Sequence, residues 1–258
     1  MHHMILALVD SLRAIHAARS LELLAGNVAI ATTQMGFTHY AITHHVDGPA
    51  RRMRAIRLNN YPPAWVEHYD RHHLYTLDPV HRLSHLINEG FVWSELAERI
   101  DLSHADHAFM TLAAHYGIAD GFTIPVTIHG ETGGSVTFIN PPRREITDLT
   151  KIMAHAIGEA AFAAARRLCT PRGQRMRPPS ARLTQREREV THLVALGKTN
   201  REMAMLMGTS EETPAKHVNN CFEKLEVNKR TLLVSRALFD GTLTLAQILP
   251  QFYSPFRE

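Results

Sequence analysis

The stretch from Leu183 to Leu225 reads LTQREREVTHLVALGKTNREMAMLMGTSEETPAKHVNNCFEKL. It contains two capping boxes, Thr184–Glu187 and Thr199–Glu202, in which a threonine hydroxyl and a glutamate carboxylate satisfy the free backbone donors at a helix N-terminus. Gly197 and Gly208 follow each apolar run at the position where a helix usually stops. The pattern therefore predicts two short helices separated by a tight turn, with a third helix behind them.

The third helix has two distinct faces. Its apolar stripe at i, i+3, i+4 and i+7 consists of Val218, Cys221, Phe222 and Leu225. The opposite face is polar and consists of Lys216, Asn219, Asn220 and Glu223. A short helix, a turn containing glycine and a second helix with a polar outer face predict a helix-turn-helix that presents base- and phosphate-binding side chains to a major groove. A helical bundle that binds protein, or binds nothing, remains the alternative on periodicity alone.

From Leu183 to about Leu238 the chain resembles the helix-turn-helix of the LuxR group of transcription regulators. The residues that carry the resemblance are Leu183–Val190, Gly197–Asn200, Met203, Ala204, Gly208, Val218, Lys224 and Leu225. The resemblance implies a homodimer on a palindromic operator in double-stranded DNA. The residues expected to contact DNA are Thr199, Asn200, Thr213, Lys216, His217, Asn219, Asn220 and Lys224, with Glu187 and Gly197 as structural positions.

The third helix departs from the family pattern at its start. Pro214 stands where a branched apolar residue is usual, and Ala215 where a basic residue is common. Proline lacks an N–H and disfavours helical geometry in the residue before it. We therefore expect Thr213 to be the N-cap, Pro214 to be the first helical residue, and the helix to begin about one turn late. Thr191 also replaces a usual leucine in the first helix.

Composition and charge limit the possible functions. The chain of 258 residues has 45% hydrophobic and 21% charged residues and a formal net charge of +3. Between Arg172 and Arg230 there are 12 basic and 7 acidic residues, which leaves 16 basic and 18 acidic residues elsewhere. A basic C-terminal segment beside a near-neutral body favours a polyanionic partner for that segment. Because no apolar run is long enough to span a membrane and only two cysteines are present, we expect a cytoplasmic protein without a disulfide framework.

The chain is predicted to have two domains. Residues 169–182 contain three prolines, a glycine and four arginines with no apolar periodicity, which is typical of a linker. It separates residues 1–168 from residues 183–258. In the first domain, helices are predicted at Met4–Ala25 and Asp148–Leu168. Strands are predicted at Thr38–His44, Arg52–Leu58, Phe122–His129 and Ser135–Asn140, the last two joined by the turn Gly130–Gly134. This order predicts an α+β fold, an α-β-α sandwich with antiparallel strands, followed by an all-α helix-turn-helix domain.

The first domain contains an aromatic cluster. Tyr61, Trp65 and Tyr69 lie four residues apart, so they share one face of a helix that Pro62 is placed to open. Such a stripe more often belongs to a core than to a ligand site. Asp78 lies among apolar and aromatic residues and must be hydrogen-bonded if it is buried, although before a proline it can also be a turn residue.

The region from about Gly36 to Asn140 resembles the autoinducer-binding domain of LuxR-type receptors, which bind acyl-homoserine lactones. The resemblance implies that Trp65 donates to the lactone carbonyl, Tyr61 donates to the amide carbonyl and Asp78 accepts from the amide N–H. The remaining matching positions are Tyr69 and Trp93 as cavity walls, Thr137 near the amide, Gly121 as a structural glycine and Pro79 beside the aspartate. An indole donor, a phenol donor and a carboxylate acceptor complement the polar groups of such a ligand.

Several other functions are not supported by the sequence. Histidine pairs such as His68 with His72 and His81 with His85 occur without a zinc-enzyme motif, so no metal site is expected. No phosphate-binding loop or nucleophile elbow occurs, so neither an enzyme nor a cofactor-binding protein is expected. A phosphorylated response regulator lacks support because the first 50 residues contain only three acids. The remaining alternative is a receptor of the same architecture for another small molecule, such as a plant-derived or aromatic signal.

Two further apolar segments are candidates for contacts with another surface. The helix Asp148–Leu168 is a candidate for dimer packing, although packing in the core is nearly as well supported. The residues proposed for that contact are Leu149, Ile152, Met153, Ala156 and Ala160. The segment 239–258 is apolar enough to dock on another surface, and no function is assigned to it.

Overall fold

The computed structural model describes residues 2–45, 55–128, 133–170 and 183–250. The chain divides into two compact units, Met1–Arg172 and Gly173–Glu258. None of the described helices is long and apolar enough to cross a membrane.

The first unit is built on an antiparallel sheet of five strands within its described residues. The strands are β1 His39–His44, β2 Arg57–Asn59, β3 Phe91–Val92, β4 Asp120–Val126 and β5 Gly134–Asn140. Their spatial order is β2-β1-β5-β4-β3, so β5 lies at the centre, paired with both β1 and β4.

Helices cover both faces of this sheet. They are α1 His2–Ala17, α2 Leu21–Gln34, α3 Pro63–Arg71, α4 Pro79–Ser84, α5 Leu96–Arg99, α6 His104–His115 and α7 Asp148–Cys169. Helices α1, α2 and α7 share one apolar core with a face of the sheet. A second core contains Trp65, Phe109 and Ile139 and lies among α3–α6 and the other face. Alternate strand residues thus contribute to separate cores, which is the layered arrangement of an α-β-α sandwich.

The second unit is helical throughout its described residues. Its helices are α8 Gln185–Ala195, α9 Asn200–Met207, α10 Glu212–Leu225, α11 Arg230–Phe239 and α12 Leu245–Ile248. Both predicted capping boxes form at the starts of α8 and α9. The core contains Val190, Met203, Val218 and Leu233, and thus combines α8–α11. The α+β fold class, with a helix-turn-helix in the second unit, is therefore confirmed.

Two predicted helix boundaries are wrong in the first unit. The expected helix Met4–Ala25 is two helices, because the Ser20 hydroxyl accepts a hydrogen bond from the Leu23 backbone and starts α2 afresh. Tyr61 precedes α3 instead of lying in it. Pro62 is the N-cap and Pro63 is the first helical residue, since a residue followed by proline disfavours helical geometry.

The predicted late start of the third helix is also wrong. Helix α10 begins at Glu212 with Glu211 as the N-cap residue, so Pro214 is its third residue and Thr213 lies inside it. Backbone N–H groups in the first turn of a helix have no acceptor within the helix, so a proline there costs no hydrogen bond.

Some predicted boundaries fall partly outside the described residues. Of the strand expected at Arg52–Leu58, residues 52–54 are not described, and β2 begins only at Arg57. The turn Gly130–Gly134 and the linker 169–182 are likewise only partly described. Helix α7 continues to Cys169, with Thr170 as its C-cap residue.

Candidate functional site

The first unit encloses a cavity of about 300 Å³, which lies at the lower end of the range for small-molecule sites. Six of the eight predicted ligand-binding residues line it: Tyr61, Trp65, Tyr69, Asp78, Trp93 and Thr137. Pro79 and Gly121 are not part of the lining. Pro79 is buried as the first residue of α4, and a Cβ on Gly121 would lie 2.8 Å from the Phe138 carbonyl oxygen and 3.2 Å from the Trp93 ring. These two residues therefore lie behind the residues that line the cavity.

Helix α3 supplies the central aromatic residue of the cavity. Trp65 is buried, with its ring centroid 5.5 Å from that of Tyr69, 5.9 Å from Phe109 and 5.4 Å from Tyr116. Within the described residues, the structure contains no protein acceptor for the indole N–H of Trp65 or for the hydroxyl of Tyr61. Burial first, and then the Asp78 carboxylate, raise the pKa of Tyr61 well above its usual value. Its hydroxyl therefore remains a donor at physiological pH.

Asp78 combines a structural contact with a lining position. One carboxylate oxygen accepts from the backbone N–H groups of Val80 and His81, at 2.9 and 3.1 Å, and so caps helix α4. The other accepts from the Tyr69 hydroxyl at 3.0 Å. Burial raises the pKa of Asp78 to about 6, against the opposing effect of these hydrogen bonds. Because a carboxylate has about four acceptor positions and three are occupied, one remains for a donor in the cavity.

Trp93 and Thr137 are linked by a residue that sequence reasoning missed. The Trp93 indole donates to the Thr123 hydroxyl at 2.9 Å, and the Thr123 and Thr137 hydroxyl oxygens are also 2.9 Å apart. Thr123 is fully buried between them, where its register opposite Thr137 on β5 places it. The Trp93 N–H is therefore bonded to Thr123 within the cavity wall, while the Thr137 side chain faces the cavity.

Other lining residues lie far apart in the sequence, and no sequence motif marks them as cavity residues. They include Thr43, His44, His45, Tyr75, His81, Phe109, Ile118 and Ser135. His45 is buried, and burial followed by the neighbouring His81 and His85 rings lowers its pKa to about 3. The cavity thus has aromatic walls, the Asp78 carboxylate on one wall and polar side chains near the end of β1.

Helix α10 presents the polar face of the second unit. Lys216 and Asn219 are exposed, and Thr213, His217 and Asn220 are half-buried. Glycine at position 208 adopts a positive φ of 65° and turns the chain from α9 towards α10. The arrangement of α9, turn and α10 is that of a helix-turn-helix with its second helix exposed on one side.

The other predicted DNA-contacting residues also have partners within the unit. Thr199 caps α9, and Asn200 accepts a hydrogen bond from Arg230. Lys224 donates to the Glu187 carboxylate at 2.8 Å and is 32% exposed. Although burial acts to raise it, the pKa of Glu187 is held below its usual value by Lys224 and by the Thr184 capping contacts. Glu187 thus caps helix α8 and binds Lys224 within the same unit.

These two units define a class of protein: a small-molecule-binding domain joined to a DNA-binding helix-turn-helix, as in ligand-responsive transcription regulators. The sequence profile of the autoinducer binding domain matches residues 24–168, and that of the luxR family of bacterial regulatory proteins matches residues 181–237. The chain therefore belongs to the LuxR family of transcription regulators.

Individual relatives agree with this assignment. The chain is 30% identical over 217 residues to RpaR of Rhodopseudomonas palustris, an HTH-type quorum sensing-dependent transcriptional regulator, covering 81% of this chain and 84% of the relative. It is 28% identical to the transcriptional activator protein AhyR of Aeromonas hydrophila, covering 82% of each chain. The crystal structure of Escherichia coli SdiA has a TM-score of 0.58 at 21% identity, covering 92% of this chain and 98% of SdiA, and supports the fold.

Proposed function

We propose that this LuxR-family regulator binds an acyl-homoserine lactone in the cavity of its first unit and responds by regulating transcription from operator DNA. The observation that carries the proposal is the set of three polar groups around one cavity. The Trp65 indole and the Tyr61 hydroxyl are donors with no protein acceptor in the described residues, and Asp78 retains one acceptor position. A lactone amide has two carbonyl acceptors and one N–H donor, which is the complementary set.

The apolar part of the cavity lining supports a ligand with a hydrophobic tail. Buried aromatic and aliphatic side chains around Trp65 give an apolar surface in which an acyl chain loses contact with water. The Thr137 hydroxyl lies on the same wall and provides a further polar contact for the amide region. The charged side chains among the described lining residues are the half-buried Asp78 and the exposed Arg57, so most of the surface offered to a ligand is uncharged.

DNA recognition is proposed for the exposed side of α10. Lys216, Asn219 and Asn220 would reach phosphates and base edges in a major groove, with Thr213 and His217 beside them. Thr199 and Asn200 would approach phosphates from the N-terminus of α9. The Lys224 side chain is still partly exposed, but it would contribute less to DNA binding because it is paired with Glu187.

A homodimer on a palindromic operator follows from the usual use of a helix-turn-helix. On α7, Met153 and Ala160 are buried in the core of the first unit, whereas Ile152 is 64% exposed. We propose that the side with Ile152, and not that with Met153, is available to a second copy. The site of action is the cytoplasm, where operator DNA is found.

The test is calorimetric titration of the full chain with homoserine lactones that carry short, long or aromatic acyl groups. Free homoserine lactone and the matching fatty acids serve as controls, because each contains only half of the proposed ligand. Binding of at least one acylated lactone, and of neither control, supports the proposal. Failure of every lactone, with binding of another apolar signal such as a plant-derived aromatic, would transfer the assignment to the alternative receptor.

A further inference from the structure

Three histidines that are distant in sequence meet at one corner of the first unit. His45 follows the end of β1, His81 lies in α4, and His85 is the C-cap residue of α4. Their ring centroids are 4.4 Å apart for His45 and His81, 4.5 Å for His45 and His85, and 4.7 Å for His81 and His85. Each ring offers one nitrogen as a candidate metal ligand, and these three nitrogen atoms all lie within 4.8 Å of one another.

His45 is held by two serine hydroxyl groups that both lie near its Nε2 atom. Its Nε2 lies 2.9 Å from the Ser135 hydroxyl oxygen and 3.4 Å from that of Ser84. The Ser84 hydroxyl donates its proton to the His81 carbonyl at 2.7 Å, so towards His45 it can only accept. In the tautomer with the proton on Nε2, that N–H donates to these hydroxyl oxygens and the lone pair of the neutral imidazole is on Nδ1. A hydrogen bond that orients the non-ligating nitrogen is the usual support of a metal-binding histidine.

We propose that His45, His81 and His85 bind a divalent transition-metal ion of the zinc type. Imidazole nitrogens suit zinc, copper and nickel, whereas magnesium and calcium require oxygen ligands that this triad lacks. Around a tetrahedral ion with bonds of about 2.05 Å, nitrogens are roughly 3.3 Å apart. The serines hold His45 in place, and the exposed His85 can rotate to close the remaining distance.

The sequence alone predicts no metal site because its histidine pairs, such as His81 and His85, occur without a zinc-enzyme motif. The third ligand lies 36 positions earlier than His81 and is brought there by the sheet, since Ser135 on β5 lies beside His45. The pair His68 and His72 has the same spacing, with ring centroids 4.5 Å apart, but no third metal-binding side chain joins it in the described residues. It therefore provides a matched control.

The proposed metal site lies at the wall of the cavity, because His45 and His81 are among the lining residues. Asp78 caps the first turn of α4, His81 lies in that helix, and His85 is its C-cap residue. An ion held by His45 would tie this helix to the end of β1 and restrain the wall that carries Asp78. If the cavity binds a lactone as proposed above, zinc would then increase lactone affinity. This consequence rests on the proposed function, whereas metal binding itself does not.

The experiment measures zinc binding to the full chain after treatment with a chelator, without any lactone. Wild-type protein and His72→Ala are expected to bind one zinc ion with equal affinity at this site. His85→Ala and His81→Gln are expected to weaken that binding at least tenfold. Because His85 is exposed, its replacement is expected to leave the circular dichroism spectrum and melting temperature of the zinc-free protein unchanged.

A second measurement identifies the ligands directly. Copper(II) bound to the wild type is expected to give an electron paramagnetic resonance spectrum with three coordinated nitrogens, and two in His85→Ala. Absence of zinc binding, equal affinity in wild type and His85→Ala, or an equal loss in His72→Ala would each overturn the proposal. Lactone binding without zinc binding would leave the receptor function intact and reject only the metal site.

Discussion

Asp78 performs two tasks that substitutions can separate. As the N-cap of α4 it satisfies two backbone N–H groups, and in the proposed complex it would accept a hydrogen bond from the ligand. Asparagine is as good an N-cap as aspartate, whereas alanine costs about 1 kcal/mol at such a position. The amide of asparagine, however, carries no charge to strengthen a bond to the ligand N–H.

We therefore predict that Asp78→Asn and Asp78→Ala both weaken lactone binding by about 10- to 100-fold, since a hydrogen bond to a charged group contributes about 1.5–3 kcal/mol. Only Asp78→Ala should lower the melting temperature of the free protein. Calorimetric titration and thermal unfolding of both variants provide the comparison. Unchanged lactone affinity in Asp78→Asn would remove the carboxylate from the proposed binding role.

A second buried carboxylate stabilises the same helix and makes a pH prediction possible. Asp106 accepts from both terminal nitrogens of Arg82, at 2.9 and 3.0 Å, and from the Ser103 backbone at 2.7 Å. The Arg82 guanidinium, with the Ser103 contacts and against the effect of burial, lowers the pKa of Asp106 to about 2. The contact joins α4 to the start of α6.

Because the pKa is lower in the folded than in the unfolded chain, the resulting stabilisation is complete above about pH 4 and is lost as the pH falls towards 2. We predict a contribution of about 1–2 kcal/mol, reduced by the partial exposure of Arg82. At pH 7, Asp106→Asn should therefore have a lower free energy of unfolding than the wild type. Between pH 4 and 2.5, the free energy of unfolding should fall less in this variant than in the wild type. Urea unfolding at both pH values measures it, and Glu67→Gln, which removes an exposed carboxylate, is the control. Parallel pH dependence in wild type and Asp106→Asn would contradict the assignment.

Helix α10 is the element on which the proposed DNA contact depends. Lys216 is exposed on its polar face, and neutralising one phosphate releases about 0.9 of a counterion. We predict that Lys216→Ala weakens binding to all DNA sequences and reduces the slope of log affinity against log salt by about one. Lys151→Ala, which removes the same charge from the first unit, should leave the slope unchanged. Equal slopes in Lys216→Ala and the wild type would exclude this face.

The same helix shows where sequence reasoning succeeds and where it does not. Its apolar stripe was predicted because periodicity is local, and the structure buries Val218, Cys221 and Leu225 as expected. Its start was predicted wrongly because Pro214 was assumed to need the first helical position, whereas the third is also free of the hydrogen-bond requirement. Short helices such as α4 and α5 were missed, since four to six residues give too little periodicity to recognise.

In the cavity, the predictable part is the part that is local in sequence. Tyr61, Trp65 and Asp78 lie within 18 residues and carry distinctive side chains. Thr123 and Ser135 reach the same wall only through the register of β4 and β5, and no single segment records that pairing. Contacts that depend on strand pairing therefore could not be predicted from the sequence and are seen only in the folded sheet.

At the scale of the whole molecule, the distribution of tryptophan offers an internal probe of ligand binding. The chain contains two tryptophans, Trp65 and Trp93, and both line the cavity of the first unit. Tryptophan fluorescence during heating therefore reports unfolding of this unit alone, whereas far-ultraviolet circular dichroism also includes helices α8–α12. A ligand that binds only the folded cavity stabilises that unit by RT ln(1 + [L]/Kd), about 4 kcal/mol at a thousandfold excess over Kd.

For a unit of this size, each kcal/mol corresponds to about 2–4 °C. We predict that saturating lactone raises the fluorescence-detected midpoint by roughly 10 °C. At the same concentration Asp78→Asn, with an affinity lower by about 10- to 100-fold, should retain about 1.4–2.7 kcal/mol of stabilisation and shift by only roughly 3–7 °C, and Lys216→Ala should behave as the wild type. A shift seen by circular dichroism but not by fluorescence would place the ligand outside the cavity, because both reporters line its wall. Ligand recognition would then have to be sought on residues other than Tyr61, Trp65 and Asp78.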